Sequence, residues 1–290
     1  MVLLRTESGN NHSFQSLPWP QMDMVVAQIL EEYGDIVDLK SKTLLKFGGT
    51  ANADSGVKTT VATFGSVGTP NVNETYSTTN DIDAVVSSDD GDTETLLIEG
   101  HTLDSSGNKT FVTQEVTLTG QTPAALTTAL GRCTRMKVKD GTFASPSSDL
   151  AGDIYAYASD GVTVTAGVPQ TNTAVKARIV AGRNQTEKAA TALSSEDYYA
   201  ITQFQASVSR GNASTVTADV ELEQAALGGV FLPKGLELSV RAGGDQGEPI
   251  RFDPYLIVPK NADIRMVATT NTNDASVTGY FAGYLLRVRP

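Results

Sequence analysis

Polar and apolar residues alternate with a period of two through most of positions 196–288. Within 215–223, Val216, Ala218, Val220 and Leu222 fall on one side and Thr217, Asp219, Glu221 and Glu223 on the other, the spacing of a half-buried strand. Leu236, Leu238 and Val240 repeat it against Glu237, Ser239 and Arg241. Near the end, Tyr280, Ala282, Tyr284, Leu286 and Val288 share one face, while Gly279, Phe281, Gly283 and Leu285 share the other, so both faces are suited to being covered. Strand-like runs at 176–180, 198–208, 215–223, 229–232, 236–241, 249–258, 262–268 and 277–288 predict eight antiparallel strands. That number suits a jelly-roll-like double sheet over 169–290.

Upstream the pattern is shorter and more broken. Residues 95–103, a Gly-containing turn at 104–108 and residues 110–118 read as a hairpin, with 132–139 and 152–158 as further strands and 123–130 as a short helix. Positions 51–92 are rich in Gly, Asn, Thr and Ser, with one β-like run at 57–64. Short strands at this spacing predict an immunoglobulin-like sandwich over 52–168, and the Pro- and Gly-containing stretch 166–173 marks its end. The expected class is therefore all-β, with two β-sandwich domains.

Residues 1–51 differ in kind and are expected to form an N-terminal arm with one short amphipathic helix. Pro18, Trp19 and Pro20 make an extended break, after which Met22, Val25, Val26, Ile29, Leu30 and Tyr33 recur at helical spacing, with Asp23 in the first turn and Gly34 as the stop. Two readings follow from the stripe. The helix packs on the β-domain of its own chain, or it docks on a neighbouring subunit, with Trp19, Met22, Val25, Val26, Ile29, Leu30 and Tyr33 as the contact residues.

Composition narrows the partners. A chain of 290 residues with 40% hydrophobic content can supply a core for each of two domains. Thirty-three acidic against 22 basic residues give a net charge of −11, which repels nucleic-acid phosphates and anionic lipid, so no direct nucleic-acid or membrane partner is expected. The single Cys133 rules out an intrachain disulfide, and two histidines are too few for the usual zinc sets. No secretory signal and no run approaching the ~20 apolar residues of a membrane span is visible, which suggests assembly in a cytoplasm. The sequons at Asn11, Asn73, Asn108, Asn184 and Asn212 then read as consequences of Asn- and Thr-rich loops.

Candidate chemistry is sparse. The carboxylates at Asp81, Asp83 and 89–94 lack the ligand spacing and closing Glu of a calcium loop and read as a solvated acidic turn. His101 lies in a strand-like run and His12 in a polar stretch, neither at a recognisable catalytic spacing. Gly228-Gly229 and Gly243-Gly244 read as turns, since neither precedes a helix. Tyr198, Tyr199, Tyr255, Tyr280 and Tyr284 are either core aromatics or a platform for a sugar ring. No catalytic residue, metal ligand or cofactor is assigned.

Four blocks in fixed order carry a resemblance: Tyr199-Ala-Ile-Thr-Gln-Phe-Gln-Ala-Ser207, Gly228-Gly-Val-Phe231, Phe252-Asp-Pro-Tyr-Leu-Ile-Val-Pro-Lys-Asn-Ala-Asp-Ile-Arg265 and Ala275-Ser-Val-Thr-Gly-Tyr-Phe-Ala-Gly-Tyr-Leu-Leu286. Together with the hairpin from Leu97 to Asn108 they resemble the C-terminal module of virion structural proteins of tailed bacteriophages, marine ones in particular. Ser194-Ser-Glu-Asp197 departs from the Pro-Ala-Gly-like turn of that pattern. The resemblance implies non-enzymatic β-sandwich modules repeated by symmetry on a particle. The expectation is a capsid decoration or cement protein, a homo-oligomer with a trimer favoured, assembled into the virion in the host cytoplasm and bound to the major capsid protein or neighbouring virion proteins. The alternatives are a tail or head–tail component and a carbohydrate-binding module.

Overall fold

The computed structural model describes residues 20–35, 37–62, 76–139, 150–209, 216–226, 229–242 and 249–288, without the side chains of 20–24, 38–42, 52 and 235–236. Helix α1 (Pro20–Tyr33) leads into β1 (Val37–Ala53) and β2 (Thr59–Thr60). There follow β3 (Ile82–Ser87), β4 (Thr95–Leu103), β5 (Lys109–Thr117), β6 (Ala124–Leu130), β7 (Arg132–Val138), β8 (Ile154–Ala158), β9 (Val164–Thr165), β10 (Val168–Pro169) and β11 (Val175–Ile179). The chain ends in β12 (Ala190–Ala192), β13 (Asp197–Ser209), β14 (Thr217–Ala225), β15 (Leu232–Arg241), β16 (Ile250–Val258), β17 (Asp263–Thr270) and β18 (Ala275–Val288).

One sheet runs β1-β18-β13-β16 and the facing one β12-β17-β14-β15, with β2 also on β17. Strand β12 pairs with residues 263–265 of β17 and β2 with residues 267–268, so two short pieces fill one strand position. Counting them as a single second strand, the antiparallel pairs are first with eighth, second with seventh, third with sixth and fourth with fifth. That is a long hairpin rolled into two sheets, the jelly-roll topology. The split second strand is also where a whole second sandwich, described from residue 76 onward, enters and leaves the jelly roll.

Facing side chains of the two sheets meet in one core that includes Tyr199, Phe204, Val220, Met266 and Phe281. Glycines allow the closest approaches. A Cβ on Gly283 would sit 2.0 Å from the Ala200 carbonyl oxygen, opposite the bulge where β13 shifts register between Ile201 and Gln203. On Gly48 it would meet the Val61 oxygen at 2.2 Å and the Ala189 nitrogen at 2.3 Å, where β1 crosses the split strand.

The inserted sandwich packs β11-β8-β3-β6 against β5-β4-β7 over a core that includes Leu96, Ile98, Met136 and Ile154. Its division into four and three strands is that of an immunoglobulin constant domain. The order within the sheets differs: in chain order they read 7-6-1-4 and 3-2-5, where the immunoglobulin domain has 1-2-5-4 and 3-6-7. The hairpin β9–β10 covers the outer face of its larger sheet, packing Val164 and Val168 against Tyr155 and Tyr157.

Sheet membership departs from the division into 1–51, 52–168 and 169–290. Strand β1, expected as part of an arm, pairs with β18 almost along its length, and β11, placed beyond residue 168, closes the inserted sandwich against β8. Both pairings are long-range, which local alternation cannot show. The helix expected at 123–130 is instead strand β6, paired with β3 and fastened by the Gln114 side chain, which accepts from Thr128 N at 2.9 Å and donates to Thr128 O at 2.8 Å. Two Thr residues and these tertiary bonds override the helix preference of Ala and Leu. Strand β3 itself was hidden among the carboxylates of 81–92.

Helix α1 packs on the outer face of the β1-β18-β13-β16 sheet, where Val25 and Ile29, both 0% exposed, join Tyr198, Ala200, Tyr255, Ile257 and Leu286. Gly34, at φ +70, ends the helix, its N–H donating to Leu30 O at 3.0 Å. Asp35 anchors that end, accepting from the Tyr198 hydroxyl at 2.6 Å and lying 2.7 Å from Lys260 Nζ.

Candidate functional site

The strongest concentration of buried charge lies where the two sandwiches meet. Arg132 on β7 and Lys109 on β5 come from the inserted sandwich, and Asp263 on β17 from the jelly roll; their exposures are 3%, 0% and 1%. The Arg132 guanidinium donates through Nε and Nη2 to the two Asp263 oxygens at 3.1 and 3.0 Å. Its Nη1 donates to Ser77 O and Gly131 O at 2.6 and 2.7 Å, and the group sits 4.7 Å from the Tyr76 ring. Lys109 Nζ lies 3.3 Å from Asp263 and donates to Asn261 O at 2.5 Å. Burial pulls the Lys109 amine below its ordinary range, partly offset by Asp263. Two cations thus share one carboxylate, and the backbone carbonyls of Ser77, Gly131 and Asn261 accept further donors from them, as buried charge requires.

A second set of amines closes the same junction from the jelly-roll side. Lys46 on β1 donates to Thr134 O at 3.0 Å, and Lys188 donates to Cys133 O and Lys176 O, each at 3.0 Å. Burial pushes the Lys46 amine down to about 8. Cys133 is 1% exposed.

Beside these amines opens a cleft of about 590 Å³ whose walls include Leu45, Phe47, His101, Phe111 and Arg135. His101 is 4% exposed and meets Phe111 edge-on at 5.4 Å. Burial, with Lys109 and Lys46 nearby, pushes its imidazole down to about 3, so it is neutral at ordinary pH and a poor general base. Its Nδ1 is buried without a hydrogen-bond partner among the described residues. Ser194 also lines the cleft, but its hydroxyl donates to Asp197 at 2.6 Å, and Asp197 accepts from Arg287 Nε and Nη2 at 2.9 and 3.1 Å. These groups hold shape; they do not form an activated nucleophile.

Of the contact residues read from the sequence, Trp19 and the side chain of Met22 lie outside the described residues. Val25 and Ile29 are buried in the chain's own sheet and Val26 is half-buried beside them, the first of the two readings of the stripe. Leu30 and Tyr33 stay 39% and 37% exposed, the Tyr33 ring 5.4 Å from that of Tyr198. Tyr198, Tyr199 and Tyr255 are buried, which removes them from any sugar platform and leaves Tyr280 and Tyr284 half-buried.

Parts of the acidic stretch clamp turns. Asp92 accepts from Ser87 Oγ at 2.5 Å, Ala151 N at 2.9 Å and Gly152 N at 3.0 Å, and Asp83 accepts from Ser159 N and Oγ, each at 2.9 Å. His12, Gly228, Gly243, Gly244 and the sequons at Asn11, Asn73 and Asn212 lie outside the described residues. The sequence reading missed Lys46, Lys109, Arg132, Lys188 and Asp263. The available signal was a lone charge beside apolar strand positions, as at Lys46 between Leu45 and Phe47.

No family model matches this chain, and no curated protein does. Among solved structures, VP2 of the infectious bursal disease virus subviral particle aligns at 9% identity over 92% of this chain and 78% of that one, with a TM-score of 0.20. The T13 particle of the same virus aligns at 9% identity over 92% and 82%, with a TM-score of 0.17. At such scores the likeness adds nothing to what the strand order shows.

Proposed function

We propose that this chain is a virion structural protein of the tailed-phage kind, bound on or between shell subunits as a decoration or cement protein. The observation that carries the reading is the jelly roll with a second sandwich inserted in its split strand and locked to it by the buried Arg132–Asp263–Lys109 cluster. Jelly rolls recur in viral shells and in lectins, so the fold alone leaves the choice open. The junction favours the shell. A body whose two halves are tied through buried ion pairs presents its outer surfaces in one fixed relation, as a subunit repeated by symmetry must. The buried tyrosines weigh against the sugar-binding alternative.

In this role the protein performs no catalytic step. It stabilises the assembled shell by binding it at many equivalent sites, each bound copy shifting the equilibrium away from the dissociated shell by mass action. A net charge of −11 keeps the body soluble and away from packaged nucleic acid. An interface of this type buries about 800 Å² per partner. The major capsid protein is the partner proposed for it.

Copy number on purified particles, measured by quantitative mass spectrometry, tests the reading. A complement matching the shell lattice is expected. A complement matching a single ring would place the protein in the tail or at the head–tail joint, and absence from particles would overturn the virion reading.

A further inference from the structure

Strand β1 ends its sheet, with β18 as its one sheet neighbour among the described residues, so its other side carries a row of backbone N–H and C=O groups that no strand pairs. Five consecutive β1 residues, 43–47, line the cleft of about 590 Å³. Successive side chains of a strand point to opposite faces, so a hollow set against one face would meet only every second residue. A hollow that meets all five runs along the strand's edge. Residues 191–194, in and just after the end strand β12 of the facing sheet, line it as another consecutive run, and Phe111, Thr134 and Arg135 of the inserted sandwich form the far wall.

Open edges are commonly blunted by bulges, proline or an inward-pointing charge. In β1 the register shifts between Asp38 and Lys42 and again between Thr50 and Ala53, which leaves an unbroken, proline-free stretch from Lys42 to Thr50 that contains the cleft segment. The inward charge of that stretch, Lys46, donates to Thr134 O at 3.0 Å with Glu99 near it, so it ties β1 to the inserted sandwich and does not reach across the edge.

A strand laid along this edge would meet different surroundings on its two faces. Outward, Leu45 and Phe47 are 55% and 37% exposed and offer apolar neighbours to every second side chain. Inward, the wall presents hydrogen-bonding groups at Thr134, Arg135 and Thr186. The lining as a whole holds Lys46, Arg135, Lys188 and Arg287 against Glu99 and Asp197, an excess of 4 − 2 = 2 positive charges in a chain of net −11.

We propose that β1 accepts, along residues 43–47, an extended strand of another protein whose side chains alternate between apolar and acidic. The added strand continues the β1-β18-β13-β16 sheet by one position, with its backbone bonded to the open edge. Its apolar side chains lie on Leu45 and Phe47, and its carboxylates face the cationic lining. Main-chain bonds hold such a partner and alternate side chains select it. This goes beyond the shell role and stands independently of it, since it concerns how a partner is held and not which particle holds it.

A capped, fluorescent six-residue peptide alternating Val and Glu, titrated into the full chain by fluorescence anisotropy, tests the proposal. Saturable binding is expected, with amide hydrogen exchange slowed at residues 43–47. Only every second amide of an added strand faces β1, so N-methylation of one alternate set of peptide amides should weaken binding about tenfold or more while the other set is tolerated. The same peptide with Lys for Glu should bind about tenfold more weakly, as should the Glu peptide to Leu45→Glu, a change at an exposed side chain that leaves circular dichroism native.

No binding at about 1 mM peptide would overturn the proposal. So would equal effects of the two N-methylated sets, equal affinity for the Glu and Lys peptides, or exchange slowed elsewhere with 43–47 unchanged. Binding that appears only after residues 1–19 are deleted would assign the edge to the chain's own leading segment, which also overturns a separate partner.

Discussion

Asp263→Asn tests the junction most directly, because it keeps the side chain's volume while removing its charge and turning one of its two acceptor oxygens into a donor. Arg132 loses the anionic acceptor of two bonds, at 3.1 and 3.0 Å, and Lys109 loses the carboxylate 3.3 Å away. Removing one partner of a buried pair costs about 3–5 kcal/mol. Here the lower end applies. Arg132 keeps Ser77 O, Gly131 O and the Tyr76 ring, and Lys109 keeps Asn261 O, so neither cation is left without acceptors.

A loss of about 3 kcal/mol is expected from urea unfolding, equivalent to a melting point lower by roughly 5–10 °C for a chain of this size. The unfolding transition should also broaden or split, since the residues removed from register are those that couple one sandwich to the other. Lys139→Ala serves as the control: its bridge to Glu115 joins side chains 43% and 48% exposed, and its loss should cost less than about 1 kcal/mol. Asp263→Asn falling within that same 1 kcal/mol of the parent, with a single unchanged transition, would show that the buried cluster does not hold the two sandwiches together.

Three further outcomes follow from particular side chains. Ile29→Ala should destabilise by about 2 kcal/mol or more because Ile29 is 0% exposed, whereas Leu30→Ala should stay within about 0.5 kcal/mol in the isolated chain; equal effects in urea unfolding would mean that the helix does not pack as described. Gly283→Ala should sharply reduce soluble folded protein, since its Cβ would lie 2.0 Å from backbone oxygen, and near-parental stability by thermal denaturation would contradict that close approach. The folded pKa of His101, about 3, lies below its ordinary 6.5, so as pH falls the unfolded chain takes up the proton first and stability is lost between these values. His101→Gln should therefore flatten the decline of stability between about pH 6.5 and pH 4, and an unchanged slope would place His101 in water.

The alternation that signalled β-structure is what buries Val216, Ala218, Val220 and Leu222 in the jelly-roll core. The same reading put Glu223 outside, yet it is 2% exposed, paired with Arg265 at 2.9 Å and Lys58 at 2.8 Å. Lys58 reaches it from a segment 165 residues earlier, next to β2. Local pattern reports which residues share a face but not what later covers that face. For the same reason the apolar stripe of α1 was legible while its destination, the outer face of a sheet built from β1, β18, β13 and β16, was not. The charges at Lys46, Arg132 and Asp263 went unassigned in the sequence because their partners lie far away along it, 131 residues apart in the case of Arg132 and Asp263.

By itself the sequence determined an all-β chain, the helix with its Gly34 stop, most C-terminal strands and an acidic surface, because all of these arise from local periodicity, backbone preference and summed charge. Tertiary structure alone decided that β1 belongs to the jelly roll, that the second strand of that roll is split between β2 and β12, and that β11 closes the inserted sandwich. It also decided that the five charges of the junction face inward. Strand pairing and charge burial depend on segments brought together across more than a hundred residues, and their free energy appears only once both partners have left water.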